Sequence, residues 1–438
     1  MLWLPSLRAG MNYRGGANGP RATSLARNWT RPDARTVHAW LSFPAVSNYS
    51  ARRGHGFSRT TDVIVRRIRE PRTTGRPRRY NIPSKKPSGD MQMFILSSQW
   101  KLALIVAAVA MAGVGWVLPA SGDDQALRAE ARLLLGALPD VPGEALDAPD
   151  TKLGRTLFWD VRLSLDGETA CASCHLAEDW GADRRRYSPD ARGKLTARHS
   201  QTVFNSMPQS ALRWTGDRES GAHQAERSLT GSMGFDSAEE AVAALKRLGY
   251  EPEFRAAYPD DAQPVSPANY GRALQAYQAT LVTPAPLDRF LDGDDDALTT
   301  EQKAGLKSFL HLGCADCHYG ELLGGQSIEK FGVFKEYWTV TGSEKQDVGR
   351  FEVTGDEADR YKFRVPMLRN IAKTAPYFHD GSVAKLEDAV QIMADVQLGG
   401  RLDDQDAAAI VAFFDALTGQ VPGHFSPPEE FPGGSESP

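Results

Sequence analysis

Outside one segment, the 438-residue sequence has no long apolar run, no convincing stretch of apolar–polar alternation, and only four cysteines. The first absence excludes a membrane bundle. A composition of 41% hydrophobic and 24% charged residues is that of an ordinary globular chain with room for two or three domains. The second absence points to a mostly α architecture, and the third leaves no thiol over for any purpose but the two pairs described below. Acidic residues are scarce at the N-terminus. Residues 1–120 hold 19 Lys/Arg against 4 Asp/Glu, so the remainder holds 32 against 51, a net charge of −19. Such a surface repels nucleic acid and favours small basic partners by long-range steering.

The exceptional segment is the 17-residue apolar run Leu102–Leu118, preceded by Lys101 and followed by Pro119, Ala120 and Ser121. That order is the grammar of a signal peptide over residues 93–121, with cleavage after Ala120. An uncleaved N-terminal anchor is the alternative, since about 17 residues is the short edge of a span. Either implies export to the periplasm. Residues 1–92 form a basic, low-complexity leader rich in Arg, Gly and Pro, expected to precede a true start at Met91 or Met93 or to be disordered.

The four cysteines fall in Cys171-Ala172-Ser173-Cys174-His175 and Cys314-Ala315-Asp316-Cys317-His318. Two thiols three residues apart on one turn reach the two vinyl groups of one haem, and the adjacent His points at the iron. Paired disulfides would not require a His after both motifs. A Cys₄ zinc site would have to join distant pairs, and a thioredoxin-like pair would need a βαβ context that is missing. Two covalently attached haem c groups are therefore expected, with Cys171, Cys174, Cys314 and Cys317 as attachment points and His175 and His318 as proximal ligands.

Three- and four-residue apolar spacing predicts helices over Gln125–Gly136, Ala238–Leu248, Tyr270–Leu281, Thr300–Leu310, Lys385–Met393 and Asp404–Leu417. The Pro-bearing stretch Thr283–Asp296 reads as the seam between two cytochrome c-like haem domains, 122–284 and 285–421. Residues 422–438, rich in Pro, Gly, Glu and Ser, read as a disordered tail.

With two haem motifs in this order, further stretches become legible: Thr202-Val203-Phe204-Asn205, Arg213-Trp214, Tyr361-Lys362-Phe363-Arg364, Leu368-Arg369-Asn370 and Ala375-Pro376-Tyr377-Phe378-His379. By these the chain resembles the bacterial dihaem cytochrome c peroxidase family, which includes the dihaem enzyme that matures the tryptophan-derived cofactor of methylamine dehydrogenase. The resemblance implies that the 122–284 domain splits hydrogen peroxide. It also implies that the 285–421 domain collects electrons, with Met393 as sixth ligand, a soft thioether that raises the reduction potential. Trp214 matches the family's tryptophan between the haems, and His379 a histidine supporting the second haem. The electron donor would be a small cytochrome c or copper protein, and the resemblance leaves a homodimer open.

Two positions depart from the family pattern. The place of a detachable distal His falls on Ala191, which would leave the first iron open in every redox state. The place of the acid–base Glu falls on Ser232, with Glu226, Asp236 or an ordered water as substitutes. His199 stands where relatives carry an Asn that helps bind an interdomain calcium, so calcium remains a candidate only through Thr374 and Pro376. Three functions follow: a peroxidase, an oxidase that modifies Trp or Tyr of a partner protein, and a non-catalytic electron-transfer cytochrome.

Overall fold

The computed structural model describes residues 122–433; the leader and the signal segment expected over 1–121 lie outside these. Among the described residues no helix is long and apolar enough to cross a membrane. Ten helices of seven or more residues carry the fold: α1 Gly122–Leu134, α2 Pro149–Trp159, α3 Gly221–Ser228, α4 Ala238–Arg247, α5 Glu251–Ala257, α6 Pro267–Ala279, α7 Pro286–Asp292, α8 Thr300–His311, α9 Leu386–Met393 and α10 Asp404–Asp415. Among the described residues the one sheet is a pair of three-residue antiparallel strands, β1 Ile328–Lys330 and β2 Lys362–Arg364.

Polar side chains set where several helices begin. Ser237, Ser266, Thr299 and Asp403 each accept a hydrogen bond from the third backbone N–H of the helix they precede. Each satisfies a donor that the first turn leaves orphaned. The six helices expected from apolar spacing are all present. Those missed are short or start on proline: α7 lies inside the stretch read as a seam, because Pro286 is its first residue, a place where proline's fixed φ suits a helix.

Of the apolar clusters among the described residues, the two largest fall one per half. The first joins α2, α4 and α6 through Leu153, Leu157, Phe158, Leu245, Tyr270 and Tyr277, with Cys171 against it. The second joins α7, α8 and α10 through Phe290, Leu306, Phe309, Ile410 and Phe413, with Cys314 against it. Each half has a crossing ahead of its haem motif where two helix backbones touch. A Cβ on Gly154 would lie 1.9 Å from the Ala273 carbonyl oxygen, and one on Gly305 would lie 1.8 Å from that of Ala409. Only glycine permits such an approach.

The chain ends are exchanged between the halves. Ala131 and Leu135 of the first helical region pack into the second cluster, while Phe425 packs into the first. The expectation of a disordered tail therefore fails for 422–433. Phe425 meets Phe158, Trp159 and Phe204 edge to face, Arg155 donates to the Ser426 carbonyl at 2.9 Å, and Phe431 lies under the Arg162 guanidinium. A composition of Pro, Gly and Glu hid two phenylalanine anchors. At the seam, buried Arg369 forms two bonds of 2.8 and 2.9 Å to Asp288, which also accepts from the Leu138 and Ala285 backbone N–H groups.

Candidate haem centres

Both Cys-x-x-Cys-His motifs lie on a single 3₁₀ turn, Cys171–Ser173 and Cys314–Asp316. The backbone N–H of His175 returns to the Cys171 carbonyl at 3.1 Å, and that of His318 to the Cys314 carbonyl at 3.0 Å. The backbone of each motif is thereby closed into a tight turn. The histidine ring is oriented by a second bond: His175 Nδ1 to the Gly181 carbonyl at 2.9 Å, and His318 Nδ1 to the Leu323 carbonyl at 3.1 Å. A carbonyl can only accept, so Nδ1 carries the proton and Nε2 keeps the lone pair a metal needs. Burial holds both imidazoles below their usual range, His318 down to about 4, which keeps them neutral.

None of the four cysteines is in a disulfide. Burial pushes Cys171 up to about 12 and Cys314 up to about 11, so they stand as thiols. The two pairs lie against different clusters, and no group of three or more His, Cys, Asp or Glu converges among the described residues. A shared zinc site does not form. Paired thiols on one turn, an oriented neutral imidazole and apolar surroundings fit haem c at both motifs.

Beside the second motif lies a cavity of about 340 Å³ whose wall includes Cys314, Cys317, His318, Met393, Val390 and Trp214. The sequence-predicted thioether and imidazole thus meet on one cavity. Met393 ends α9, and the chain continues as a π-helical turn, Ala394–Leu398, closed by Gly399 at φ +84°. Such wide turns occur disproportionately at functional sites. Trp214 is fixed by its indole N–H, which donates to the His199 carbonyl at 2.9 Å, and its ring meets His379 edge-on at 6.3 Å. His379 is buried between Phe363 and Tyr337, at 4.4 and 5.2 Å between ring centres, on the same cavity.

His199 Nδ1 lies 3.0 Å from the Arg185 carbonyl oxygen, a part-buried bond that orients its ring.

At the first motif, the structure joins the two residues at which the sequence departs from the family pattern. The Ala191 N–H donates to the Ser232 carbonyl at 2.9 Å, and the neighbouring Arg192 guanidinium binds the Gly234 carbonyl and Asp236. Ala191 and Ser232 are therefore adjacent. Ser232 is half-buried, whereas Glu226, on α3, and Asp236 are exposed. Sequence reasoning saw Arg364 only as part of a motif and missed that it is buried on the cavity wall; a charged residue inside an apolar run, Phe363-Arg364-Val365, was the available signal.

The profile of the family described as di-haem cytochrome c peroxidase matches residues 148–296. The cytochrome c551 peroxidase of Pseudomonas aeruginosa is 40% identical over 306 residues, covering 68% of this chain and 88% of that protein. The methylamine utilization protein MauG of Methylophilus methylotrophus is 30% identical over 299 residues, covering 66% and 84%. A crystal structure described as a MauG-like protein associated with microbial copper homeostasis superposes with a TM-score of 0.56 at 29% identity, over 66% of this chain and 96% of that one. This chain belongs to the di-haem cytochrome c peroxidase family.

Proposed function

We propose that this protein is an exported peroxidase that reduces hydrogen peroxide to water with electrons from a small periplasmic redox protein, a cytochrome c or a copper protein. One observation carries the reading: His318 and Met393 share a cavity with Trp214, and the position that the family resemblance assigns to a distal ligand of the first haem holds an alanine, Ala191. When bound, haem c supplies iron that passes single electrons and, at the first centre, a free position for peroxide. His175 and His318 hold it from one side with their protons fixed on Nδ1. Met393 would bind the second centre, and Trp214, on the same cavity wall, would pass electrons toward the first. Splitting the O–O bond needs a proton moved from the inner to the outer oxygen. Ser232, bonded through its backbone to Ala191, would orient the water that moves it, with exposed Glu226 as a bulk proton source.

The donor would dock where Val333, Phe334 and Leu398 stand 59%, 64% and 38% exposed. Val333 and Leu398 are also on the cavity wall. Net charge −19 over residues 121–438 selects a basic partner. The test is the visible and spin-resonance spectrum of the oxidised protein together with steady-state turnover. One high-spin and one low-spin His/Met haem, and turnover far above free haem, are expected; two six-coordinate centres in both oxidised and half-reduced forms sink the reading.

Ala191 and Ser232 also favour a second reading, oxidation of a Trp or Tyr on a partner protein. Mass spectrometry of candidate partners after peroxide treatment separates the two, since added oxygen or a cross-link appears only in that case.

A further inference from the structure

Arg364 and Arg369, each 1% exposed, are the largest fully buried side chains. They form an internal control. Arg369 is matched by the Asp288 carboxylate in a two-pronged bond. Arg364 meets only neutral acceptors: Nε donates to the Arg213 carbonyl at 3.0 Å, Nη2 to Gln201 Oε1 at 2.7 Å, and Nη1 to Gln209 Oε1 and, at 3.4 Å, to the Val365 carbonyl. Among the described residues no carboxylate pairs with it. Burial, with nothing opposing it, pushes its guanidinium down to about 10.

A buried charge without a counter-charge is costly, and proteins pair such groups. Arg364 lies on the wall of the same cavity as Cys314, His318 and Met393, so the missing anion has a place. The group expected there carries two carboxylates of its own. Arg364 also holds the Trp214 segment, with its backbone N–H donating to the Trp214 carbonyl at 2.7 Å.

We propose that Arg364 is the counter-ion of a haem propionate at the Cys314–His318 centre, and that it locks the Trp214 segment against that propionate. The inference rests on the two-haem reading of the chain, though not on peroxidase activity. As a positioning residue, Arg364 would raise the reduction potential of this centre by offsetting propionate charge.

The experiment is spectroelectrochemical titration of the haem-loaded protein and of Arg364→Met and Arg364→Lys. Two haems per chain are first verified by absorbance; failure of the native protein there sinks the cofactor reading, not this assignment. The expected result is a lower midpoint for the His318-side haem in R364M, largely restored in R364K, with the other haem unmoved. An unchanged midpoint in R364M, or a shift confined to the other haem, overturns the proposal. Should R364M fail to load haem, the crystal structure of the native loaded protein decides. A propionate within hydrogen-bond distance of the guanidinium supports the assignment; propionates placed elsewhere, or an inorganic anion at Arg364, overturn it.

Discussion

In both halves a helix ahead of the Cys-x-x-Cys-His turn crosses a later helix through a glycine, Gly154 under Ala273 and Gly305 under Ala409. In both, the motif histidine gives its Nδ1 proton to a carbonyl five or six residues on. The halves part company in what surrounds the rest of the motif. The second presents Met393, a π-turn and an aromatic cage around His379; the first presents Ala191 bonded to the Ser232 backbone. The scaffold that holds the group is thus repeated, and the surroundings that decide its chemistry are not.

The largest effect should come from breaking the shared part. In Gly305→Ala the new methyl meets backbone rather than a flexible side chain, so a helix must move. The expected loss is about 3 kcal/mol or more, measured by denaturant unfolding of the haem-loaded protein. Gly154→Ala should match it. A loss under half of that in either half would show that the crossings are not equivalent.

Next is the exchange of chain ends. Phe425→Ala should cost about 3 kcal/mol, because it empties a slot among Phe158, Trp159 and Phe204. A thermal midpoint equal to that of the unaltered protein would mean that the strap adds nothing to the first half.

How much of this was legible beforehand follows from what each signal encodes. The haem turns were readable because covalent attachment dictates residue type and spacing together. The long amphipathic helices were readable because one buried face forces a period of 3.6. The tail was not, since a strap held by Phe425, Phe431 and two arginines has no period and borrows its core from a region more than 250 residues away. The adjacency of Ala191 and Ser232 was likewise hidden, because a single backbone bond across 41 residues leaves no mark on side-chain identity.

A smaller, kinetic effect is expected from making the first half imitate the closed one. Ala191→His offers an imidazole at the distal position; if it reaches the iron, turnover of the fully oxidised enzyme should fall roughly 10-fold, about 1.4 kcal/mol, and the high-spin spectrum should be lost. Pre-reduction by one electron should restore part of it. Retention of the high-spin signal would show that Ala191 does not face the iron.

The smallest effect concerns a surface contact between the halves. Arg198 binds Asp347 through two bonds of 2.7 and 2.8 Å and reaches Glu352 at 2.7 Å. Burial alone would raise the Asp347 carboxyl, but the Arg198 hydrogen bonds and charge outweigh it and hold it below the usual range. A depressed carboxylate binds its proton less readily in the folded chain than in the unfolded one. Its contribution is therefore complete above the unfolded value near pH 4 and is lost as pH falls through the lower folded value. Asp347→Asn should cost about 1 kcal/mol at pH 7, where the partly exposed pair is screened, and little near pH 2. The two stability curves should converge on the acid side; a gap that stays constant from pH 7 to pH 2 would assign the loss to packing rather than to the charge of Asp347.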